Sequence, residues 1–182
     1  MNRQYESEAA ELAGDAKAAA EAPILRRHVV LVLVEDLDRS AARAIQYART
    51  LAPDELRALH MAVDLPRAEA LTEEWQRLGL SRLPLELVDC PDRRLTRGVL
   101  EVVAEVLADG RTEVSVLIPR LAHRRFWHRF LHDRTGDAIA TAVSRLPHAN
   151  VTFVPYHLGS TMPPTKESDS VIEEPGNDHA RR

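Results

Sequence analysis

Apolar residues follow two alternating rhythms from about residue 28 to residue 155 of this 182-residue chain: short continuous runs, and longer stretches at helical spacing. The run from His28 to Val34 is too uniformly aliphatic and β-branched to leave one face in water, so it predicts a central parallel strand. Asp38-Arg39-Ser40 then supplies an N-cap. Ala41, Ala44, Ile45, Ala48 and Leu51 recur at helical spacing up to Pro53. Leu56 to Val63 predicts a second strand, weakened by Arg57 and His60, and Pro66 opens a helix to about Leu78, closed by Gly79. Leu83 to Val88 alternates as an edge strand would. Leu95, Val99, Val102, Val103, Val106 and Leu107 share one side of a helix ending near Gly110. Val114 to Ile118 predicts a fourth strand, Gly136 to Leu146 a helix with Ile139, Ala142, Val143 and Leu146 inward, and Val151 to Val154 a fifth strand stopped by Pro155. Five strands joined by four helical crossovers make a doubly wound α/β domain: a five-stranded parallel sheet with helices on both faces.

The ends carry little of this pattern. Residues 1–24 are rich in alanine and acids and predict a linker; residues 159–182 have the composition of a disordered tail, leaving 25–158 as the domain. The net charge of −4 belongs to these ends. Residues 1–22 hold five acids against two bases and residues 159–182 five against three, so residues 23–158 hold 19 bases and 18 acids. A near-neutral domain is not expected to bind DNA or RNA. No apolar run approaches the roughly 20 residues of a membrane span, and no secretory signal pattern opens the sequence. The single cysteine, Cys90, makes neither an internal disulfide nor a zinc cluster and is expected to fill space.

Candidate chemistry concentrates between Ile118 and Asp137. Five arginines, three histidines, Trp127, Phe126 and Phe130 stand there with a single acid, Asp133, before Asp137. Ligands of open parallel sheets bind beyond the carboxyl ends of the strands, so a basic, aromatic segment leaving the fourth strand suits an anion. The competing reading is a solvated amphipathic helix with its aromatics docked on the core. Whether Phe126 and Trp127 stack on a ligand or fill the core stays open. His128 and His132 can share a helix face, but the arginines around them repel a divalent ion, so no metal site is expected. No Ser-His-Asp or Cys-His order stands out, and no catalytic activity is expected. Glu35 and Asp36 read equally as hydrogen-bond acceptors for a ligand or as caps of the first turn. Arg93, Arg94 and Arg97 read as the wet first turn of a helix beside an edge strand, away from any central crevice.

Val-Leu-Val-Glu-Asp-Leu-Asp-Arg-Ser-Ala-Ala-Arg-Ala at the first turn (residues 32–44), with Ala58-Leu59-His60-Met61-Ala62-Val63-Asp64 at the second strand, resembles the universal stress protein family. Leu87-Val88-Asp89-Cys90-Pro91-Asp92-Arg93-Arg94-Leu95, Leu131-His132-Asp133-Arg134-Thr135 and Ser144-Arg145-Leu146-Pro147-His148 are more closely similar to a cytosolic carboxyl-terminal domain of certain bacterial permeases. Those permeases belong to the amino-acid–polyamine–organocation superfamily and include potassium importers. The resemblance covers about residues 28–158 and implies a strand order of 3-2-1-4-5, with a ligand crevice between the ends of strands one and four. ATP-binding stress proteins have an aspartate at the end of strand one and glycines after strand four. Here Glu35 stands for the aspartate and Pro119-Arg120-Leu121 replaces the first glycines, leaving only Gly136, after Thr135. A bare backbone closes on phosphate through amide hydrogens, whereas arginines present guanidinium forks. That disfavours ATP in the usual pose.

The resemblance therefore implies a regulatory domain on the cytoplasmic face of the inner membrane, joined to the transmembrane part of the same permease. The ligand it implies is a nucleotide second messenger, cyclic di-AMP, with no resident cofactor. Two rivals remain: a dimerisation module without a small ligand, and a stand-alone ATP-binding stress protein. The expected ligand residues are Val34, Glu35, Asp36 and Val63 around the base. Around the phosphates they are Pro119, Arg120, His123, Arg124, Arg125, His132, Arg134, Thr135 and Gly136. In that strand order the fifth strand, Val151 to Val154, is an edge. An unpaired apolar edge tends to be covered, so a homodimer through this strand is expected, as related domains form.

Overall fold

The computed structural model describes Ala20, residues 25–121 and residues 133–156. The expected linker, Ala20 apart, and the expected tail lie outside these residues. The elements are β1 (Arg27–Leu33), α1 (Arg39–Thr50), β2 (Glu55–Ala62), α2 (Leu65–Arg77), a 3-10 turn (Leu80–Arg82), β3 (Leu85–Asp89), α3 (Leu95–Leu107), β4 (Thr112–Leu121), α4 (Asp133–Val143) and β5 (Ala149–Tyr156). The five strands form one sheet in the order β3-β2-β1-β4-β5. Every pairing in it is parallel. This is the fold class and the strand order expected from the sequence.

Strand β1 shows why its run is apolar throughout. Val29, Leu31 and Leu33 pack on one face against Val99, Val102, Val103 and Val106 of α3 and Ile139 and Val143 of α4. Val30 and Val32 pack on the other face against Ala41, Ala44, Ile45 and Ala48 of α1 and Leu71 and Trp75 of α2. Successive side chains of a strand point to opposite faces, so a central strand clad on both sides has no position left for a polar residue. Burial of each such valine or leucine is worth roughly 1.5–3 kcal/mol.

The helix starts are set locally. Asp38 Oδ1 accepts from the Ser40 and Ala41 amides, each at 2.9 Å, and caps α1. Asp64 Oδ1 accepts from the Arg67 amide at 3.1 Å and caps α2, whose Pro66 stands at a position needing no amide hydrogen. Gly79 takes φ +68° where α2 ends.

Most strand ends lie one to three residues from expectation, and three of the differences have a visible cause. Strand β3 begins at Leu85, not Leu83, because Leu83 turns into the core and its carbonyl accepts the Trp75 indole N–H at 2.9 Å. Strand β4 continues past Ile118 through Pro119 and Arg120 to Leu121. Strand β5 runs through Pro155 to Tyr156 instead of stopping there. Register explains both prolines. Pro119 and Pro155 lie beyond the last β1–β4 pair, Val32 with Leu117, where only β4 and β5 remain paired. Each strand then has one open side, on which a missing amide hydrogen costs nothing.

The path of α3 places the site. Strand β3 is an edge, yet β4 lies on the far side of β2 and β1. The connection must therefore recross the sheet. Helix α3 does so on the face of Leu31, Leu33 and Leu59, which carries its first turn over the carboxyl ends of β2 and β1.

Candidate functional site

Helix α1 leaves β1 for one face and α4 follows β4 on the other, so the connections part between these neighbouring strands. Such a divergence opens a crevice beyond the carboxyl ends of a parallel sheet. A cavity of about 240 Å³ lies there, displaced toward β2. Leu33, Val34 and Glu35 continue β1 into its wall, and Leu59, His60 and Met61 do so from β2. Val63, Asp64 and Arg67 come from the entry to α2, Arg93 and Leu95 from the entry to α3, and Ile139 from α4.

Its wall is aliphatic with few polar groups. Arg67 Nη2 bridges the mouth, 2.7 Å from Asp36 Oδ2 and 3.2 Å from Glu35 Oε1. The hydrogen bond to Asp36 raises the Arg67 guanidinium above its ordinary value, against the opposing effect of burial. Neither Glu35 nor Asp36 caps a helix; Asp38 does that. His60, only 4% exposed, lies with Nδ1 2.9 Å from the Val34 carbonyl oxygen. Cys90 is buried beside Met61, and burial first, then Asp92, Asp89 and Glu101, push its thiol upward, so it is a packing residue and no nucleophile.

Next to the cavity runs a groove of about 550 Å³ lined by Arg93, Arg94, Leu95, Thr96, Arg97, Leu100, Arg134, Thr135 and Ala138. Arg93 and Leu95 line both spaces. Arg97 pairs with Glu101 and Arg94 with Asp92, whereas Arg93 and Arg134 have no ion-pair partner among the described residues. Helix α3 has no side-chain cap and no acid in its first turn, so its amino end adds positive potential, offset in part by Asp92, which accepts from the Arg94 amide at 3.1 Å. The arrangement is an apolar chamber opening on to a cationic groove.

The family model of the KimA potassium transporter C-terminal domain matches residues 26–156. The chain belongs to this family. It is 24% identical over 133 residues to the potassium transporter KimA of Bacillus subtilis (strain 168), an alignment covering 71% of this chain and 22% of that protein. The chain thus spans about a fifth of that relative's length. Both the KimA C-terminal family and this relative are named for transport and not for catalysis. Among the described residues no helix is long and apolar enough to cross a membrane, and no three His, Cys, Asp or Glu side chains gather as a metal site would require.

In this KimA C-terminal domain the structure brings together some of the residues expected from sequence and separates others. Val34, Glu35 and Val63 line the cavity, and Asp36 holds Arg67 at its mouth. Arg134 and Thr135 line the groove. Arg120 lines neither: its guanidinium is 2.8 Å from Asp137 and stacks over the Phe153 ring at 4.2 Å, between β4, α4 and β5. Pro119 is paired in the sheet beside it. Gly136 packs under Phe153, whose Cε1 would lie 3.4 Å from an added Cβ. His123, Arg124, Arg125 and His132, with Phe126, Trp127, His128 and Phe130, lie outside the described residues.

Arg93 is exposed, as expected, but its expected place away from the crevice is corrected. It lines the cavity because α3 recrosses the sheet, a consequence of strand order that spacing does not carry. His60, Asp64, Arg67 and Arg93 are the polar residues of the cavity absent from the expected ligand set. One signal was available. A cation in the first turn of a helix opposes the macrodipole unless an anion stands near, and Arg67, after Asp64 and Pro66, is such a cation.

Proposed function

We propose that this domain is the cytoplasmic regulatory domain of a potassium transporter and that it controls transport by binding cyclic di-AMP. The observation that carries the reading is the joining of the two spaces at Arg93 and Leu95. A purine needs flat apolar walls and a few hydrogen-bonding groups; a phosphodiester needs guanidinium forks and helix amides. The cavity supplies the first and the groove the second, and the two meet at Arg93 and Leu95. Family membership and the name of the relative support the transport context. Placement among universal stress protein-like domains, and within the amino-acid–polyamine–organocation superfamily, belongs to the same proposal; the strand order is consistent with it. ATP is disfavoured as the ligand, because β4 continues as a strand through Pro119-Arg120-Leu121 where a glycine-rich phosphate loop would begin. No reaction is assigned to the site.

A companion reading is favoured by one observation. Among the described residues strand β5 pairs only with β4, which leaves the edge along Val151–Val154 for a second copy of the chain. Dimerisation there is compatible with nucleotide control, since a two-fold-symmetric dinucleotide suits a two-fold-symmetric regulator.

Calorimetry of the 182-residue chain with cyclic di-AMP, ATP and cyclic di-GMP tests the ligand. Saturable binding of the first, with affinity at least about tenfold (1.4 kcal/mol) above the others, is expected. Absence of binding, or equal affinity for all three, overturns the proposal.

A further inference from the structure

Buried polar groups of the described residues are all accounted for except where they meet open space. No buried side-chain nitrogen or oxygen lacks a hydrogen-bond partner. His60 makes one hydrogen bond, at Nδ1, to the Val34 carbonyl. A carbonyl oxygen only accepts, so Nδ1 carries the proton, and in the neutral ring Nε2 is left with a bare lone pair. Nε2 has no partner among the described residues, and His60 has no interaction beyond that hydrogen bond. A ring that is 4% exposed yet not counted among buried unsatisfied groups must therefore reach open space through this nitrogen. The space His60 lines is the apolar cavity.

The other polar groups of that wall have the same character. Glu35 and Asp64 also line the cavity, and the nearby donor, Arg67, is bound to Glu35 and Asp36. The chamber thus offers acceptors at its base-sized end, whereas the next uncommitted donor, Arg93, stands toward the groove. A ring presenting an N–H edge gains a bond there. A 6-oxopurine keeps an N–H at N1 but sets its carbonyl oxygen where the amine would stand, so at that position two acceptors meet and lose water without compensation.

We infer that His60 is a specificity-determining residue, whose Nε2 accepts a hydrogen bond from the exocyclic amine of adenine and excludes 6-oxopurines. This rests on the nucleotide-binding reading and goes beyond it by naming the atom that reads the base. The Val34 carbonyl fixes the ring, and Leu59, Met61 and Ile139 line the cavity around it.

The test compares cyclic di-AMP with cyclic di-IMP, in which C6 carries a carbonyl in place of the amine and N1 a hydrogen in place of a lone pair. Both are titrated calorimetrically into the wild-type chain, His60→Gln, which keeps an acceptor, and His60→Leu, which does not. Wild type is expected to prefer cyclic di-AMP by at least about tenfold, His60→Gln to keep most of that ratio, and His60→Leu to fall below about threefold. Equal binding of the two ligands by wild type overturns the inference and leaves the nucleotide reading standing. So does an undiminished ratio in His60→Leu. Failure of wild type to bind either ligand overturns both. If circular dichroism shows His60→Leu unfolded, the wild-type ratio and its retention in His60→Gln decide the matter: loss of the ratio in a folded His60→Gln overturns the inference.

Discussion

Arg67 Nη2 stands 2.7 Å from Asp36 Oδ2, tying the first turn of α2 to the loop that follows β1 across the mouth of the cavity. The guanidinium also reaches Glu35, so it neutralises two carboxylates that an anionic ligand would otherwise meet on entry. Replacing it by alanine is therefore expected to weaken cyclic di-AMP binding by about tenfold while lowering stability by less than about 1 kcal/mol, because the pair is partly exposed. Calorimetry and thermal unfolding of Arg67→Ala measure the two effects. Unchanged affinity would remove the mouth from the ligand's path.

Arg93 adopts φ +58°, in the left-handed region that a residue with a Cβ enters at a cost of roughly 1–2 kcal/mol. It lines both the cavity and the groove. Arg93→Gly removes the guanidinium and the Cβ strain together. Its unfolding midpoint is expected to equal or exceed that of wild type, with cyclic di-AMP affinity at least about tenfold lower. A variant that loses stability and keeps its affinity would show that the side chain serves the fold.

Gly98 lets α3 approach β2 and the turn after β3. An added Cβ would lie 2.8 Å from Cys90 Sγ and 3.2 Å from Met61 Sδ. The Met61 sulfur can shift along its flexible chain, but buried Cys90 has one torsion and no room. Gly98→Ala is expected to cost about 1–3 kcal/mol by overpacking, more than the roughly 1 kcal/mol gained in helix propensity. Cys90→Ala in the same chain removes the obstacle and should recover most of the loss. Urea denaturation of the single and double variants reads this; additive effects would refute the contact.

Glu55 is held below its ordinary 4.5 chiefly by the hydrogen bond from Arg57, with Arg27 assisting and burial opposing. A carboxyl depressed in the folded state stabilises it above the unfolded value, and that stability is lost as pH falls through the folded value. The unfolding midpoint is expected to fall as pH drops below about 4.5, and Glu55→Gln should flatten the profile in that window. The effect stays under about 1 kcal/mol, because the Glu55 side chain is 33% exposed. Parallel acid titrations of the two proteins check it.

Much of the fold was legible along the chain because its causes are local. The run from Val29 to Val34 could only be a strand covered on both sides, Asp38 and Gly79 mark helix ends by their own side chain or lack of one, and Val99, Val102, Val103 and Val106 declare a buried face by spacing alone. Val34, Glu35 and Val63 follow the ends of β1 and β2, which the same pattern marks, and they line the cavity. Tertiary structure alone decided the rest. Pro155 reads as a stop, but β5 has an open side where its missing amide hydrogen is harmless. Arg120 reads as a ligand arm, but Asp137 and Phe153, 17 and 33 positions away, hold it. Arg93 reads as lying away from the crevice, but the strand order sends α3 back across the sheet and sets it over the cavity. His60 reads as a flaw in a strand until the Val34 carbonyl is found beside its ring. Periodicity reports which face a residue occupies. Which partner waits on that face depends on strand order, and strand order is settled by packing between segments far apart in the chain.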